Sequence, residues 1–238
     1  MSISPRSVLN YCSILAQLAL PPQCFLCGAH FGDEGLCPDC RGDLPRLPAS
    51  VCQMCALPAP GATLCGRCLQ IRPNFDHVIA ACSYAFPADA MVQALKYRSE
   101  LAVASILAHE LAAAVCSEPG PDLVIAMPLS VERLRERGFN QALEIARLLC
   151  ARTGFALAVD ACRRVLDTTP QTSLPWSQRA KNVRRAFVCD ADLQGRSVAV
   201  VDDVLTTGAT LSELAATLKK RGAVSVSAWV FARTLPHG

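Results

Sequence analysis

Eight cysteines between Cys24 and Cys68 constrain this 238-residue chain more than any other feature. Cys24-Phe25-Leu26-Cys27 is followed after nine residues by Cys37-Pro38-Asp39-Cys40. Cys52-Gln53-Met54-Cys55 is followed, again after nine, by Cys65-Gly66-Arg67-Cys68. Each cysteine of the first set recurs 28 positions later, so the segment is a duplicated C-x2-C-x9-C-x2-C unit. A C-x2-C turn aims two thiolates at one tetrahedral ion, and two such turns close the shell with no position left for water. The reading is two structural zinc sites, with Cys24, Cys27, Cys37, Cys40, Cys52, Cys55, Cys65 and Cys68 as ligands. Zinc binding then supplies the folding free energy that such small, glycine- and proline-rich ribbons lack. Unrelated cysteines, four disulfides or an iron–sulfur cluster held by four cysteines are the competing readings. Spacing leaves open whether each ion takes one repeat or the pairs interleave. His30 reads as an exposed loop residue, since four sulfurs already suffice.

A secreted disulfide scaffold is expected to be short and to follow a leader peptide. The opening MSISPRSVLNYCSILAQLALPP carries one Arg, is interrupted by Asn10, Ser13 and Gln17, and reads as a short amphipathic helix. No stretch reaches the roughly eighteen apolar residues of a membrane span. The expectation is therefore a cytoplasmic protein with reduced thiols and no membrane insertion. Apolar residues make up 52% and charged ones 18%, which excludes intrinsic disorder, and the net charge of +3 does not by itself indicate a polyanion partner. Of the other cysteines, Cys12, Cys82, Cys116 and Cys150 are expected on apolar faces, and Cys162 and Cys189 flank a basic segment with no assigned role.

Past residue 75 apolar runs alternate with helical patterns, which sets the expected division at 1–75 and 76–238. His77–Tyr84, Leu123–Pro128, Ser197–Val201 and Val224–Ala232 read as strands, the second and third of the buried parallel kind. Asp89–Cys116 reads as one or two helices, Asn140–Thr153 as an amphipathic helix, and Ala209–Arg221 as a helix closed by Gly222. The fold class is α/β: a mostly parallel sheet flanked by helices and preceded by a small zinc-ribbon module.

The sharpest site signal is the run from Val200 to Thr210, VVDDVLTTGAT, passing from strand through loop into helix. Such a loop aims backbone N–H groups and a helix dipole at one anion. Thr206, Thr207 and Thr210 add hydroxyls, and Gly208 permits close backbone approach. Asp202 and Asp203 would repel one another unless hydroxyl donors or a cation offset them, as a ribose diol with a nearby magnesium ion does. The competing reading is a plain βα turn capped by Asp203 or Thr206.

This run resembles the PRPP-binding signature of type I phosphoribosyltransferases. The resemblance implies that Asp202 and Asp203 hold the ribose hydroxyls. It also implies that Thr206, Thr207, Gly208, Ala209 and Thr210 cradle the 5-phosphate. Arg133, Arg135 and Arg137 beside Gly138, with Asn140 and Gln141, suit the pyrophosphate, because guanidinium forks bind phosphate oxygens bidentately. Arg137 joins the two acids as a catalytic candidate. Arg163–Phe187 holds six basic residues against one acid, and Gln171, Arg179, Lys181 and Asn182 are its flexible-loop candidates. A solvated helix start and a solvated loop are the bland readings of these two segments.

The double zinc ribbon, the ALKYR segment (Ala94–Arg98), R-x-R-G-F-N-Q, Q-x-x-L…R-x-x-N-V and V-V-D-D-V-x-T-T-G-A-T together resemble the ComF/GntX family over nearly the whole chain. Two positions depart from that pattern: Ser99 stands where glycine is expected, and Ser130 where histidine is common. The resemblance implies a phosphoribosyltransferase-type protein linked to DNA uptake, with PRPP and magnesium as ligands. Lys96 is a candidate for the pyrophosphate side, and Lys96, Tyr97 and Arg98 suit a dimer face as well as a site. Three functions remain open: transfer of phosphoribose to an unidentified acceptor, a non-catalytic PRPP sensor, and an adaptor that handles single-stranded DNA beside an uptake helicase.

Overall fold

The 28-residue repeat of the sequence is a repeat of backbone. The computed structural model describes residues 23–31, 35–166 and 185–236; the expected N-terminal helix lies outside them. Gln23 bridges His30 in the first unit, and Val51 bridges Pro58 in the second. Helix α1 (Pro38–Gly42) recurs as α2 (Gly66–Gln70). Gly28 at φ 73° recurs as Ala56 at φ 56°, the left-handed residue that closes each C-x2-C turn.

Contacts divide the chain into two compact units, Met1–Leu44 and Pro45–Gly238. The division by composition at residue 75 and this division by contacts differ by one ribbon. The second ribbon folds with the sheet.

That sheet comprises β1 (His77–Ser83), β2 (Leu123–Ala126), β5 (Ser197–Leu205) and β6 (Ser225–Arg233), all parallel in the order β1-β6-β5-β2. Val198–Val201 in β5 and Val226–Arg233 in β6 are buried, the continuous burial of central parallel strands. Between β2 and β5 in sequence, β3 (Cys162–Arg164) and β4 (Phe187–Cys189) form an antiparallel ribbon that pairs Cys162 with Cys189. Four helices of the sheet unit are α3 (Ala88–Tyr97), α4 (Ala102–Val115), α6 (Gln141–Thr153) and α7 (Ala209–Lys220). A shorter one, α5 (Val131–Arg137), precedes α6.

Leu157 extends the sheet beyond β2 by a parallel bridge to Val124. Helix α6 therefore crosses outward from β2, and α4 and α6 pack together. Helix α7 crosses the other way, from β5 to β6, so right-handed connection places it on the opposite face. Connections leave β2 and β5 in opposite directions. The crevice at their carboxyl ends is the topological switch point, where open α/β sheets bind ligands.

Two structural details differ from the expectations. Cys82 and Cys150 are buried, but Cys116 caps α4 and is exposed. Cys12 lies outside the described residues. Strand β5 runs on to Leu205, so both acids are strand residues, with Asp202 paired to Val230 of β6. Among the described residues no helix is long and apolar enough to cross a membrane.

Candidate functional site

Both cysteine sets close on themselves within one repeat. The sulfurs of Cys24, Cys27, Cys37 and Cys40 lie within 4.8 Å of one another, as do those of Cys52, Cys55, Cys65 and Cys68. Cys27 and Cys37 sulfurs are 3.8 Å apart, and Cys55 and Cys65 sulfurs 3.6 Å. A tetrahedral zinc with bonds of about 2.3 Å requires sulfur separations near 3.8 Å, so the donor sets fit the ion. Burial raises the Cys24 thiol pKa, but the N–H groups of Cys27, Cys37 and Leu26 outweigh it and lower the net value. Pairing is sequential rather than interleaved, which spacing alone left open. His30 is exposed.

At the switch point a cleft of about 480 Å³ is lined by Asp202, Asp203, Thr206, Thr207, Gly208 and Thr210 from the end of β5 and the start of α7. Facing them are Arg133, Arg137, Asn140 and Gln141, together with Lys96 from α3. Asp203 is 5% exposed, and Lys96 Nζ sits 2.8 Å from its Oδ2. Burial works against the Lys96 charge, yet the Asp203 and Asp202 carboxylates outweigh it and raise the ammonium pKa. Asp202 is pushed above the ordinary carboxylate range by desolvation and by the adjacent Asp203 charge, with Lys96 only partly offsetting them. The cleft therefore holds two crowded carboxyls whose joint ionisation hydroxyl donors or a cation would relieve.

Helix α7 opens on Gly208 at φ 79°, an N-cap with no side chain to offer. Its first intrahelical acceptor is the Gly208 carbonyl, bonded by Ser212 N at 2.8 Å. Thr207 Oγ1 takes the Ala209 N–H at a long 3.4 Å. The plain-turn reading required a cap from Asp203 or Thr206, and neither supplies one. First-turn N–H groups without intrahelical partners face the mouth of the cleft, a donor set of the kind that suits an anion.

Around the other rim the placement is uneven. Arg133 and Arg137 are one turn apart on α5 and line the cleft, whereas Arg135, two residues along, points elsewhere and is exposed. Gly138 ends α5 in the left-handed conformation. Asn140 caps α6, its Oδ1 accepting from Ala142 N at 3.0 Å while its Nδ2 donates to the Met127 carbonyl at 3.1 Å. Gln141 is 2% exposed, and its Nε2 has no hydrogen-bond partner among the described residues. Ala209 is buried at the start of α7. Gln171, Arg179, Lys181 and Asn182 lie outside the described residues.

Sequence reasoning did not single out Tyr84 or Arg164 for the cleft, yet both line it, beside Tyr97, which the sequence offers to a site as well as to a dimer face. The Arg137 guanidinium lies 5.7 Å from the Tyr97 ring centroid, a cation–π distance.

The double zinc ribbon domain family matches residues 15–69. DNA utilization protein YhgH of Salmonella typhi is 35% identical over 227 residues, covering 92% of this chain and 100% of that protein. Competence protein F of Haemophilus influenzae is 30% identical, with 86% and 93% covered. Among solved structures, a glutamine PRPP amidotransferase from B. subtilis aligns at 20% identity and a TM-score of 0.36, over 51% of this chain and 24% of that one. A purine phosphoribosyltransferase from Pyrococcus horikoshii aligns at 21% and 0.32, over 51% and 66%. Identity of 30–35% over nearly the whole length of these relatives, together with a duplicated four-cysteine ribbon ahead of a parallel α/β sheet, places this chain in the ComF family of competence and DNA utilization proteins.

Proposed function

We propose that this chain binds PRPP with magnesium in the switch-point cleft and transfers its phosphoribosyl group to a nitrogen acceptor, in service of DNA uptake or utilization. One observation carries the reading: the Asp202–Asp203 pair and the glycine-capped start of α7 open onto the same cleft as Arg133 and Arg137. The acids accept from the ribose 2′ and 3′ hydroxyls, and the Thr206–Thr210 backbone donates to the 5-phosphate. Arg133 and Arg137 face the pyrophosphate, and the buried Gln141 amide gains the acceptor it lacks. Magnesium takes oxygen ligands, which Asp202 and the ligand's own phosphates offer, and when bound it neutralises phosphate charge. During transfer the bond from ribose C1 to pyrophosphate breaks, the acceptor nitrogen bonds C1, and that nitrogen releases a proton. Developing negative charge on the leaving group meets Arg133 and Arg137, with Arg137 held against Tyr97. Zinc ligation by thiolates suits a reducing cytoplasm.

Calorimetric titration with PRPP and magnesium tests the site. Asp202→Ala and Thr207→Val are expected to weaken binding at least tenfold, and unchanged affinity in both variants would sink the assignment. Pyrophosphate release across a panel of bases separates transfer from sensing. Tight binding without release from any of them favours a sensor.

The relatives' names connect this chain to DNA, and the cationic rim of Arg133, Arg137 and Arg164 gives single-stranded DNA a surface to follow. If single-stranded DNA binds there, affinity drops steeply with salt, by a slope of about −0.7 per phosphate contact. A flat salt series removes the direct DNA contact while leaving the PRPP reading intact.

A further inference from the structure

Beneath the phosphate-cradling loop lies the second zinc ribbon, and two arginines join them. Arg233 ends β6 with 1% exposure, although it follows an unbroken apolar run. Its guanidinium is spread over backbone carbonyls. Nε donates to Cys55 at 2.8 Å, and Nη1 donates to Leu205 at 2.8 Å, to Thr206, and to Thr234 at 2.9 Å. Cys55 belongs to the second four-cysteine set, and Leu205 and Thr206 begin the loop. Arg67, between the ligands Cys65 and Cys68, donates from Nη2 to the Thr207 carbonyl. Phe75 is buried against Gly208, where a Cβ would meet its ring at 3.4 Å. A crevice of only about 20 Å³ remains among these groups, room for no more than a water. With their carbonyls engaged from below, Thr206 and Thr207 have their peptide planes fixed. The N–H groups of Thr207 and Gly208, across those planes, are thereby oriented.

We infer that Arg233 and Arg67 are positioning residues that make the second ribbon the floor of the phosphate-binding site, so that its zinc knuckle sets the loop geometry that recognises a 5-phosphate. This rests on the proposed PRPP site and adds to it a division of labour: the second ribbon serves the 5-phosphate end, and α5 serves the pyrophosphate end. Neither arginine need touch the ligand. Both act through carbonyls, as an interaction that preorganises donors rather than supplying them.

Two simple ligands read the two ends separately. Ribose 5-phosphate and inorganic pyrophosphate, each with magnesium, are titrated into the full-length zinc-loaded protein and its variants. Arg67→Met, at a half-exposed position that does not threaten the core, is expected to raise the dissociation constant for ribose 5-phosphate at least tenfold. It should leave pyrophosphate affinity within twofold. Arg233→Lys keeps the charge but loses the fork, and is expected to show the same selective loss. General destabilisation would lower both affinities together. Parallel loss of both ligands, or unchanged ribose 5-phosphate affinity in folded Arg67→Met, overturns the inference. Failure of the unaltered protein to bind either ligand overturns the PRPP reading itself, and the inference with it.

Discussion

Asp202 is the residue at which stability and function pull apart. Desolvation and the Asp203 charge hold its carboxyl above the ordinary value of 3.8. A carboxyl that binds its proton more tightly when folded loses folding stability as pH rises from the unfolded value through the folded one. At neutral pH the ligand-free fold therefore holds Asp202 largely protonated, while the unfolded chain ionises it freely and is favoured by the difference. Asp202→Asn removes that difference. In thermal melts at pH 7.5 the variant is expected to unfold at higher temperature, with each kcal/mol of relief appearing as about 2–4 °C. Near pH 4 the wild-type carboxyl is largely protonated in the fold and half protonated in the unfolded chain, so the gain shrinks. An equal gain at both pH values, or none at pH 7.5, contradicts this account. The two departures from the family pattern are also explained residue by residue. Ser99 adopts φ 54°, the left-handed conformation that favours the expected glycine. Ser130 caps α5, its Oγ accepting from Arg133 N at 3.5 Å.

Single elements were legible in the sequence wherever hydrophobic period and end signals agreed. The amphipathic run Asn140–Thr153 predicts α6, and the structure begins that helix one residue later, with the Asn140 side chain capping Gln141–Thr153. Gly222 was expected to end α7, and it follows the Arg221 cap at φ 97°. Strand β5 was read too short because two carboxylates interrupt its apolar run. Its pairing with β6 continues through Asp202 and Val204 to Leu205, where neighbouring strands outweigh local composition. The R-x-R-x-R segment looked like the start of one helix but is a short helix of its own, stopped by Gly138, and that stop lets Asn140 cap the next helix. The acid pair and threonine loop declared themselves through a compact motif. Arg233 did not, because a lone arginine after Val-Phe-Ala carries no sign that four backbone carbonyls await it. The same holds for Tyr84 and Arg164, brought to the cleft by chain segments far apart in sequence.

Across the whole molecule the duplicated ribbon stops being a duplication of role. Its halves match in knuckle, bridge and helix, yet one lies in the Met1–Leu44 unit and the other in Pro45–Gly238. Metal binding that is folding free energy acts on the unit that holds the ligands. Equivalent substitutions in the two repeats should therefore have unequal consequences. Cys40→Ser and Cys68→Ser occupy the same position 28 residues apart. Each is expected to remove about one zinc from a full-length protein that binds two, measured by atomic emission after gel filtration. Scanning calorimetry should then separate them. Cys40→Ser leaves the main transition, that of the sheet-bearing unit, within about 2 °C. Cys68→Ser lowers it by several degrees, since loss of about 2 kcal/mol shifts a domain of this size by roughly 4–8 °C. Ribose 5-phosphate affinity should follow the same order, because Arg67 and the Cys55 carbonyl lie in the second repeat. Equal shifts in both variants would mean that the repeats support one cooperative unit, and the second ribbon would lose its claim to serve the phosphate loop alone.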